Sequence, residues 1–230
     1  MNRIKIISNT QYKDLYEISK SFYVNLVYEK LEINGENSFY SFDFLNYIIM
    51  DDVFKDIDIM VYIDEDCFIT DIKALERLIF YFTENDIDCI GMPDGGVVST
   101  RTHNPLSINQ FFCILNLKKI REKYNLDEVL KTLYSDDLSE YLPSFLIKGV
   151  YNLDNFEPYY KLFFWMLKNK YKFYYLDAKN FDLDTTTTIL KNHENIEFAY
   201  HTWYARNWIK DEENTKRILN VINHCKKIIK

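Results

Sequence analysis

The run Ile59-Met60-Val61-Tyr62-Ile63 stops abruptly at three acids, Asp64-Glu65-Asp66, and Cys67-Phe68-Ile69 resumes the apolar pattern. A β-branched and aromatic run of this kind predicts a strand buried on both faces of a parallel sheet. Ligands of open α/β sheets bind beyond the carboxyl ends of such strands. Carboxylates on alternate residues at that position can jointly hold a hard divalent cation, and through it a diphosphate. The Asp-x-Asp spacing recurs at Asp56/Asp58, Asp86/Asp88 and Asp182/Asp184. The first two pairs precede apolar runs and belong at the amino ends of strands. Only Asp64/Asp66, and less clearly Asp182/Asp184, follow one. Glu65, between the two aspartates, is expected to point to the other side and is kept as a candidate donor contact.

A second group of chemically capable side chains stands late in the chain, in Phe198-Ala199-Tyr200-His201-Thr202-Trp203-Tyr204-Ala205-Arg206-Asn207-Trp208. A neutral imidazole from His201 would complete a metal shell begun by the distant carboxylates, a ligand set that suits manganese better than magnesium. Arg206 would pair with phosphate. A packed aromatic segment with a hydrogen-bonded histidine is the competing reading. Arg101, His103, Asn104 and Asn109 form a polar group before a buried run, able to orient a sugar or acceptor or simply to brace a loop. Asp94 beside Gly95-Gly96 has the same two readings, sugar hydroxyls or turn chemistry. Asp182, Asp184 and the run Thr185–Thr188 are candidate acceptor contacts.

The elements that must position these residues alternate between strand and helix. Arg3–Ser8 reads as a first strand, and Gln11–Glu29 as a helix with Leu15, Ile18, Phe22 and Leu26 at helical spacing. A strand near Ser38–Phe42 and a short helix over Phe44–Asp51 follow. Asp71 caps a helix whose apolar face includes Ile72, Leu75, Leu78, Ile79 and Phe82. Then come a strand Ile87–Met92, a turn at Pro93–Gly96, a polar loop to Pro105, a strand Phe111–Asn116 and a helix Leu117–Tyr124. Glu157-Pro158 opens a helix through Lys168. Lys172–Leu176 is a strand, and a charged helix from about residue 211 closes the chain. The alternation predicts a single α/β domain over residues 1–230, with a mostly parallel central sheet flanked by helices.

Composition narrows the partners. With 230 residues, 47% hydrophobic, the chain is globular. Its 19 Tyr and 17 Phe against five Gly and four Pro indicate an aromatic core. The net charge of −7, without a block of like charges, argues against a nucleic-acid surface. Cys67, Cys89, Cys113 and Cys225 lack CxxC spacing and read as reduced, mostly buried thiols in a cytoplasmic protein. No apolar stretch reaches the length of a membrane span, and the amino terminus is too short and polar for a signal peptide. The terminal helix ends in lysines. Its mixed charges favour a solvated capping helix, with peripheral contact to anionic lipid as the alternative.

The first strand with its short polar loop, the segment Tyr62-Ile63-Asp64-Glu65-Asp66-Cys67-Phe68-Ile69 and the late His201-Thr202-Trp203-Tyr204-Ala205-Arg206 together resemble a bacterial nucleotide-sugar glycosyltransferase of the Rossmann-like GT-A fold. The order of elements matches over residues 3–208, although the specific motifs are short. The resemblance implies a manganese- or magnesium-dependent enzyme that moves a sugar, hexose-like, from a nucleoside-diphosphate donor to a hydroxyl acceptor on a glycan or glycolipid. A UDP-sugar is the favoured donor, and cytoplasmic assembly of a surface glycan the implied setting. It makes Asp66 a direct metal ligand and gives Asp64 a water-mediated or ribose contact. It assigns the donor loop to Ser8, Asn9 and Thr10, with Tyr12 stacking on the base. The segment Asp154-Asn155-Phe156-Glu157-Pro158 resembles the stretch that supplies the catalytic base of inverting members. Glu157 is the nearest match and Asp154 the second, but the usual Glu-Asp pair is absent because Pro158 follows Glu157.

Two other classes compete. Nucleotidyl transfer onto a sugar phosphate normally requires a glycine-rich basic loop after the first strand, whereas here the loop is Ser8-Asn9-Thr10-Gln11. A non-catalytic nucleotide-sugar-binding module or subunit fits the same motifs without a base. A structural calcium site is the weakest alternative, because the triad lacks the Gly and the twelve-residue ligand spacing of an EF-hand loop.

Overall fold

A computed structural model describes residues 2–35 and 41–229. The first strand, β1 (Ile4–Thr10), enters the fold at once and leads through a short loop into α1 (Lys13–Ser21). β2 (Glu29–Asn34) follows and pairs parallel to β1, from Lys5 opposite Glu29 to Thr10 opposite Asn34. The helix expected over residues 11–29 therefore ends at Ser21, and its last part is a turn and a strand. Buried Phe22, Tyr23 and Leu26 anchor that turn, and alternate Leu31 and Ile33 of β2 pack on the core. Residues 38–40 of the strand expected near Ser38–Phe42 lie outside the described residues, while Ser41 and Phe42 open α2 (Ser41–Met50).

The acidic turn joins two sheets. β3 (Ile59–Ile63), buried at every position, lies parallel to β1 in a six-stranded sheet. β4 (Cys67–Ile69) on the other side of the turn starts a four-stranded antiparallel sheet. After α3 (Ile72–Glu84), capped by Asp71 as expected, β5 (Cys89–Pro93) and β6 (Ile108–Asn116) return to the first sheet. Its order is β2-β1-β3-β6-β5-β7, with β7 (Phe173–Tyr175) at the edge. The pairings are parallel except where β6 runs antiparallel between β3 and β5. Because β1 connects outward to β2 before the chain returns to β3, the carboxyl ends of β1 and β3 flank the point where strand order reverses, the usual binding crevice of such sheets.

Helices α4 (Leu117–Lys123), α5 (Leu126–Lys131) and α6 (Tyr160–Lys168) pack on the central sheet. α6 begins at Tyr160, so Glu157 precedes the helix instead of opening it. The second sheet has the order β4-β10-β9-β8, built from β8 (Ala178–Phe181), β9 (Asp184–Lys191) and β10 (Glu197–His201). The sequence pattern did not predict this sheet. α7 (Glu212–Ile228), capped by Asp211, packs Ile218, Val221, Ile222 and Cys225 against α1 and β10 residues. Among the described residues no helix is long and apolar enough to cross a membrane.

One arginine closes the helical layer. The half-buried Arg121 guanidinium donates to four backbone carbonyls, of Ile48, Ile49, Phe54 and Ile57, at 2.6–3.0 Å. Those of Ile48 and Ile49 are orphan acceptors at the end of α2; those of Phe54, which also accepts the Ile57 N–H, and Ile57 lie in the turn before β3. Arg121→Met leaves the Ile48 and Ile49 carbonyls without a donor. It is expected to cost about 2–4 kcal/mol, read as a lower urea midpoint at unchanged slope.

Candidate active site

The three acids of the turn face different ways. Glu65 points back to the β1–α1 loop, where Oε2 accepts the backbone N–H of Gln11 at 2.8 Å and of Tyr12 at 2.7 Å. It satisfies donors at the start of α1 and fixes that loop against the acidic turn. Burial raises its pKa to about 7 in spite of these bonds. Asp64 and Asp66 remain on the cleft side. Asp64 accepts the Glu65 N–H at 2.9 Å and the Tyr62 hydroxyl at 3.4 Å. Asp66 is buried and accepts the Thr202 hydroxyl at 3.0 Å, while its backbone carbonyl accepts the Thr202 N–H at 3.1 Å.

The second sheet brings His201 to this place. β10 pairs antiparallel with β4 so that His201 stands opposite Cys67, the residue after Asp66. Its Nε2 lies 3.0 Å from Asp66 Oδ1, and its ring stacks on Phe111 at 4.1 Å between centroids. Potential ligand atoms of Asp64, Asp66 and His201 all lie within 4.8 Å of one another. The donor set, two carboxylates and an imidazole, fits a divalent cation of the manganese or magnesium type. Buried Asp66 Oδ1 and His201 Nδ1 have no hydrogen-bond partner of good geometry, which is what a site shaped for an ion leaves behind.

The electrostatics follow from this crowding. Burial, with the charges of Asp66 and Glu65, pushes Asp64 up to about 8. Burial acts on Asp66 in the same direction, but neighbouring His201 and the Thr202 hydroxyl outweigh it and hold its carboxyl below the usual range. Of two adjacent acids, one thus keeps its charge and the other holds a proton until a cation replaces it.

A second polar cluster forms the opposite wall. Asp94 is 0% exposed; Arg101 donates to both its oxygens, at 2.8 and 2.6 Å, and Asn109, Tyr159 and Tyr160 donate as well. Arg101 also donates to Glu157 Oε1 at 2.9 Å and lies 5.6 Å from the Trp203 ring centroid. Burial opposes the Arg101 charge, but Asp94 and Glu157 more than compensate and raise its pKa. A Cβ at Gly95 would collide with the His103 carbonyl oxygen, so the turn carrying Asp94 needs glycine there.

These walls enclose a cleft of about 440 Å³. Asn9, Asp64, Glu65, Asp66, Arg101, Glu157, His201 and Arg206 line it. Asn109 lines it too, with its amide turned to Asp94, whereas Ser8, Thr10, Tyr12, Asp94, His103, Asn104, Asp154 and Asp184 do not. Ser8 is buried against the Tyr23 hydroxyl, and Thr10 is buried at the end of β1. Tyr12 donates its hydroxyl to the Arg206 carbonyl and packs under Lys210 instead of offering its ring to the cleft. Asp94 is sealed beneath Arg101. His103 Nδ1 lies 3.0 Å from Asp154, its ring stacks on Phe156, and Asn104 donates to the Asp154 carbonyl, so these three brace the loop beside the cleft. Asp184 pairs with Arg217 at 2.9 Å and lines the groove against α7 instead of the cleft.

Thr186, from the threonine run named as a candidate acceptor contact, also lines the cleft, as do Gln11, Tyr62, Gln110, Phe111, Tyr159, Trp203 and Tyr204, which the sequence did not single out for chemistry. Asn109-Gln110, polar at the head of an apolar strand, was a usable signal. Trp203 and Tyr204 carried none: both adopt left-handed backbone, with φ of 60°, a conformation that sequence normally announces by glycine or asparagine.

No family model and no curated protein matches this chain. Among solved structures, a glycosyltransferase involved in glycosylation of the major capsid of PBCV-1 is similar over 52% of this chain and 61% of its own, with 16% identity and a TM-score of 0.36. A197 from STIV is similar over 86% and 93%, with 14% identity and a TM-score of 0.38. Mouse xyloside xylosyltransferase 1 is similar over 76% and 72%, with 12% identity and a TM-score of 0.38. The chain thus spans about three fifths of the first of these, and likeness of this degree assigns no family.

The raised Asp64 has a measurable consequence. The metal-free protein binds that proton more tightly than the unfolded chain, whose aspartate titrates near 3.9. Asp64 therefore stabilises fully below about pH 4, and this contribution is lost as pH rises through about 8. Manganese at pH 8 is expected to raise Tm. Asp64→Asn is expected to raise the metal-free Tm at that pH and to remove the manganese response, both read by differential scanning calorimetry.

Proposed function

We propose that the chain is a metal-dependent glycosyltransferase that moves a sugar, hexose-like, from a nucleoside-diphosphate donor to a hydroxyl acceptor. The observation that carries this reading is the grouping of Asp64, Asp66 and His201 at the strand-order reversal of an α/β sheet, open to a polar cleft. Bound there, manganese or magnesium would neutralise a diphosphate leaving group by Lewis-acid stabilisation. Asp66 and His201 would hold it directly, with Asp64 as third ligand or ribose contact.

The remaining wall residues orient and discriminate. Asn9 and Gln11, at the end of β1, face the space for nucleoside, and Arg206 supplies positive charge for phosphate. Arg101, Asn109, Gln110 and Glu157 line the part suited to hydroxyl-rich groups. Arg101 occupies Glu157 Oε1, so the other carboxylate oxygen accepts the acceptor hydroxyl's hydrogen, as an orienting group or as the base. Glu157 is preferred over Asp154 for this role because Asp154 lies outside the cleft, tied to His103. The favoured donor is a UDP-sugar, the acceptor a glycan or glycolipid, and the setting cytoplasmic assembly of a surface glycan. The chain acts as one domain.

Calorimetric titration with UDP, GDP and CMP, with and without manganese, tests the donor site. Manganese-dependent binding of one nucleotide is expected, weakened at least about 100-fold in Asp66→Ala. Absence of nucleotide binding under every condition would sink the reading. Tight binding without turnover of any activated sugar would favour a non-catalytic nucleotide-sugar-binding subunit.

A further inference from the structure

The outward face of α7 is basic in a chain that is acidic overall. Residues 214–230 contain Lys216, Arg217, Lys226, Lys227 and Lys230 and no Asp or Glu, in a chain of net charge −7. The helix buries Ile218, Val221, Ile222 and Cys225, which leaves Lys216, Leu219, Asn220, Asn223, Lys226 and Lys227 on one exposed stripe. Acids occur only before and in its first turn, at Asp211, Glu212 and Glu213. Arg217 is engaged inward with Asp184 and the Trp203 carbonyl, so the lysines carry the charge of the free face.

Apolar groups accompany that charge. Leu183, at the tip of the β8–β9 hairpin, is 81% exposed, and Leu219 and Ile229 are also exposed. Between this hairpin and α7 runs a groove of about 430 Å³, whose walls include Phe181, Leu183, Val221, Lys216 and His224, with the acids Glu213 and Asp184, the latter paired to Arg217. Exposed lysines and exposed aliphatic side chains together match the chemistry of a bilayer interface, where ammonium groups meet lipid phosphates and short apolar chains enter the acyl boundary.

We propose that α7 and the β8–β9 tip dock the protein on an anionic membrane surface. The electrostatic complement lies in the lysine stripe and the apolar contact in Leu183 and Leu219. β9 and Trp203, joined to α7 through Arg217, also form part of the cleft wall, so the docked face is continuous with the site. The inference deepens the proposed function by naming the surface that presents a lipid-linked acceptor, and it rests on that reading for the acceptor only.

Cosedimentation of the full chain with vesicles tests it without turnover. Vesicles of phosphatidylcholine alone are compared with equal mixtures of phosphatidylcholine and phosphatidylglycerol, at about 0.05 M and about 0.5 M salt. Binding to the mixed vesicles alone is expected, and its loss at the higher salt. Each lysine near such a surface strengthens binding about fivefold. The triple variant Lys216→Glu, Lys226→Glu, Lys227→Glu should therefore lower partitioning at least about 100-fold, and Leu183→Asp should lower it at low salt as well. All these side chains are exposed, so an unchanged Tm and unchanged manganese-dependent nucleotide binding establish that the variants are folded. No binding to anionic vesicles, equal binding to phosphatidylcholine alone, or unchanged binding of the triple variant would overturn the proposal. Nucleotide binding is measured separately, so loss of the donor-site reading and loss of the docking surface are distinct results.

Discussion

Everything at the candidate site depends on one turn of three acids placed where two sheets meet. β3 ends and β4 begins within four residues, so the turn must serve both sheets. The three carboxylates cannot all be charged and unpaired at such a junction, because burying like charges together is too costly. The structure separates them. Glu65 is spent on the N–H groups that open α1, Asp66 is bound to Thr202 and placed against His201, and Asp64 is left to the cleft. Two ties therefore leave the turn in opposite directions, one to the first sheet's loop and one to the second sheet's last strand. The cation group is their intersection.

The opposite wall obeys the same logic with the signs reversed. Asp94 is fully enclosed and takes donors from Arg101, Asn109, Tyr159 and Tyr160. A buried carboxylate so satisfied holds Arg101 in place, and Arg101 in turn holds Glu157 at the cleft. The geometry of Glu157 is thus set by a chain of charged hydrogen bonds that starts in the core. Trp203 links the two walls. Its ring lies against Arg101 and His201, and its indole N–H donates to Thr188 at 2.9 Å.

Legibility followed the range of the interactions involved. Buried strand β3, the Asp71 cap and the amphipathic α3 were readable because each depends on neighbours a few residues away. The sequence pattern runs the first helix too long, to Glu29, and misses β2 altogether, because the short Leu31/Ile33 alternation becomes a strand only through pairing with β1. The antiparallel sheet escaped notice because its strands mix threonines with short apolar runs and gain their stability from one another. Asp94, Tyr12 and Ser8 were plausible ligand contacts by position. Each is consumed by a partner far away in sequence: Tyr159 and Tyr160, the Arg206 carbonyl and Tyr23.

The α/β class, the place of Asp64 and Asp66 just beyond a buried strand, and the turning away of Glu65 were all readable from the order of residues. These follow from local periodicity and from the alternation of side chains along an extended chain. Tertiary structure alone decided that His201 belongs beside Asp66, that Arg101 rather than a helix terminus holds Glu157, and that Trp203 and Tyr204 reach the cleft on left-handed backbone. Those outcomes depend on strand register and on buried charge pairs between residues up to 136 positions apart, as Asp66 and Thr202 are. Contacts at such separations leave no periodic trace in the chain, because folding brings the partners together only after each has been placed by its own element.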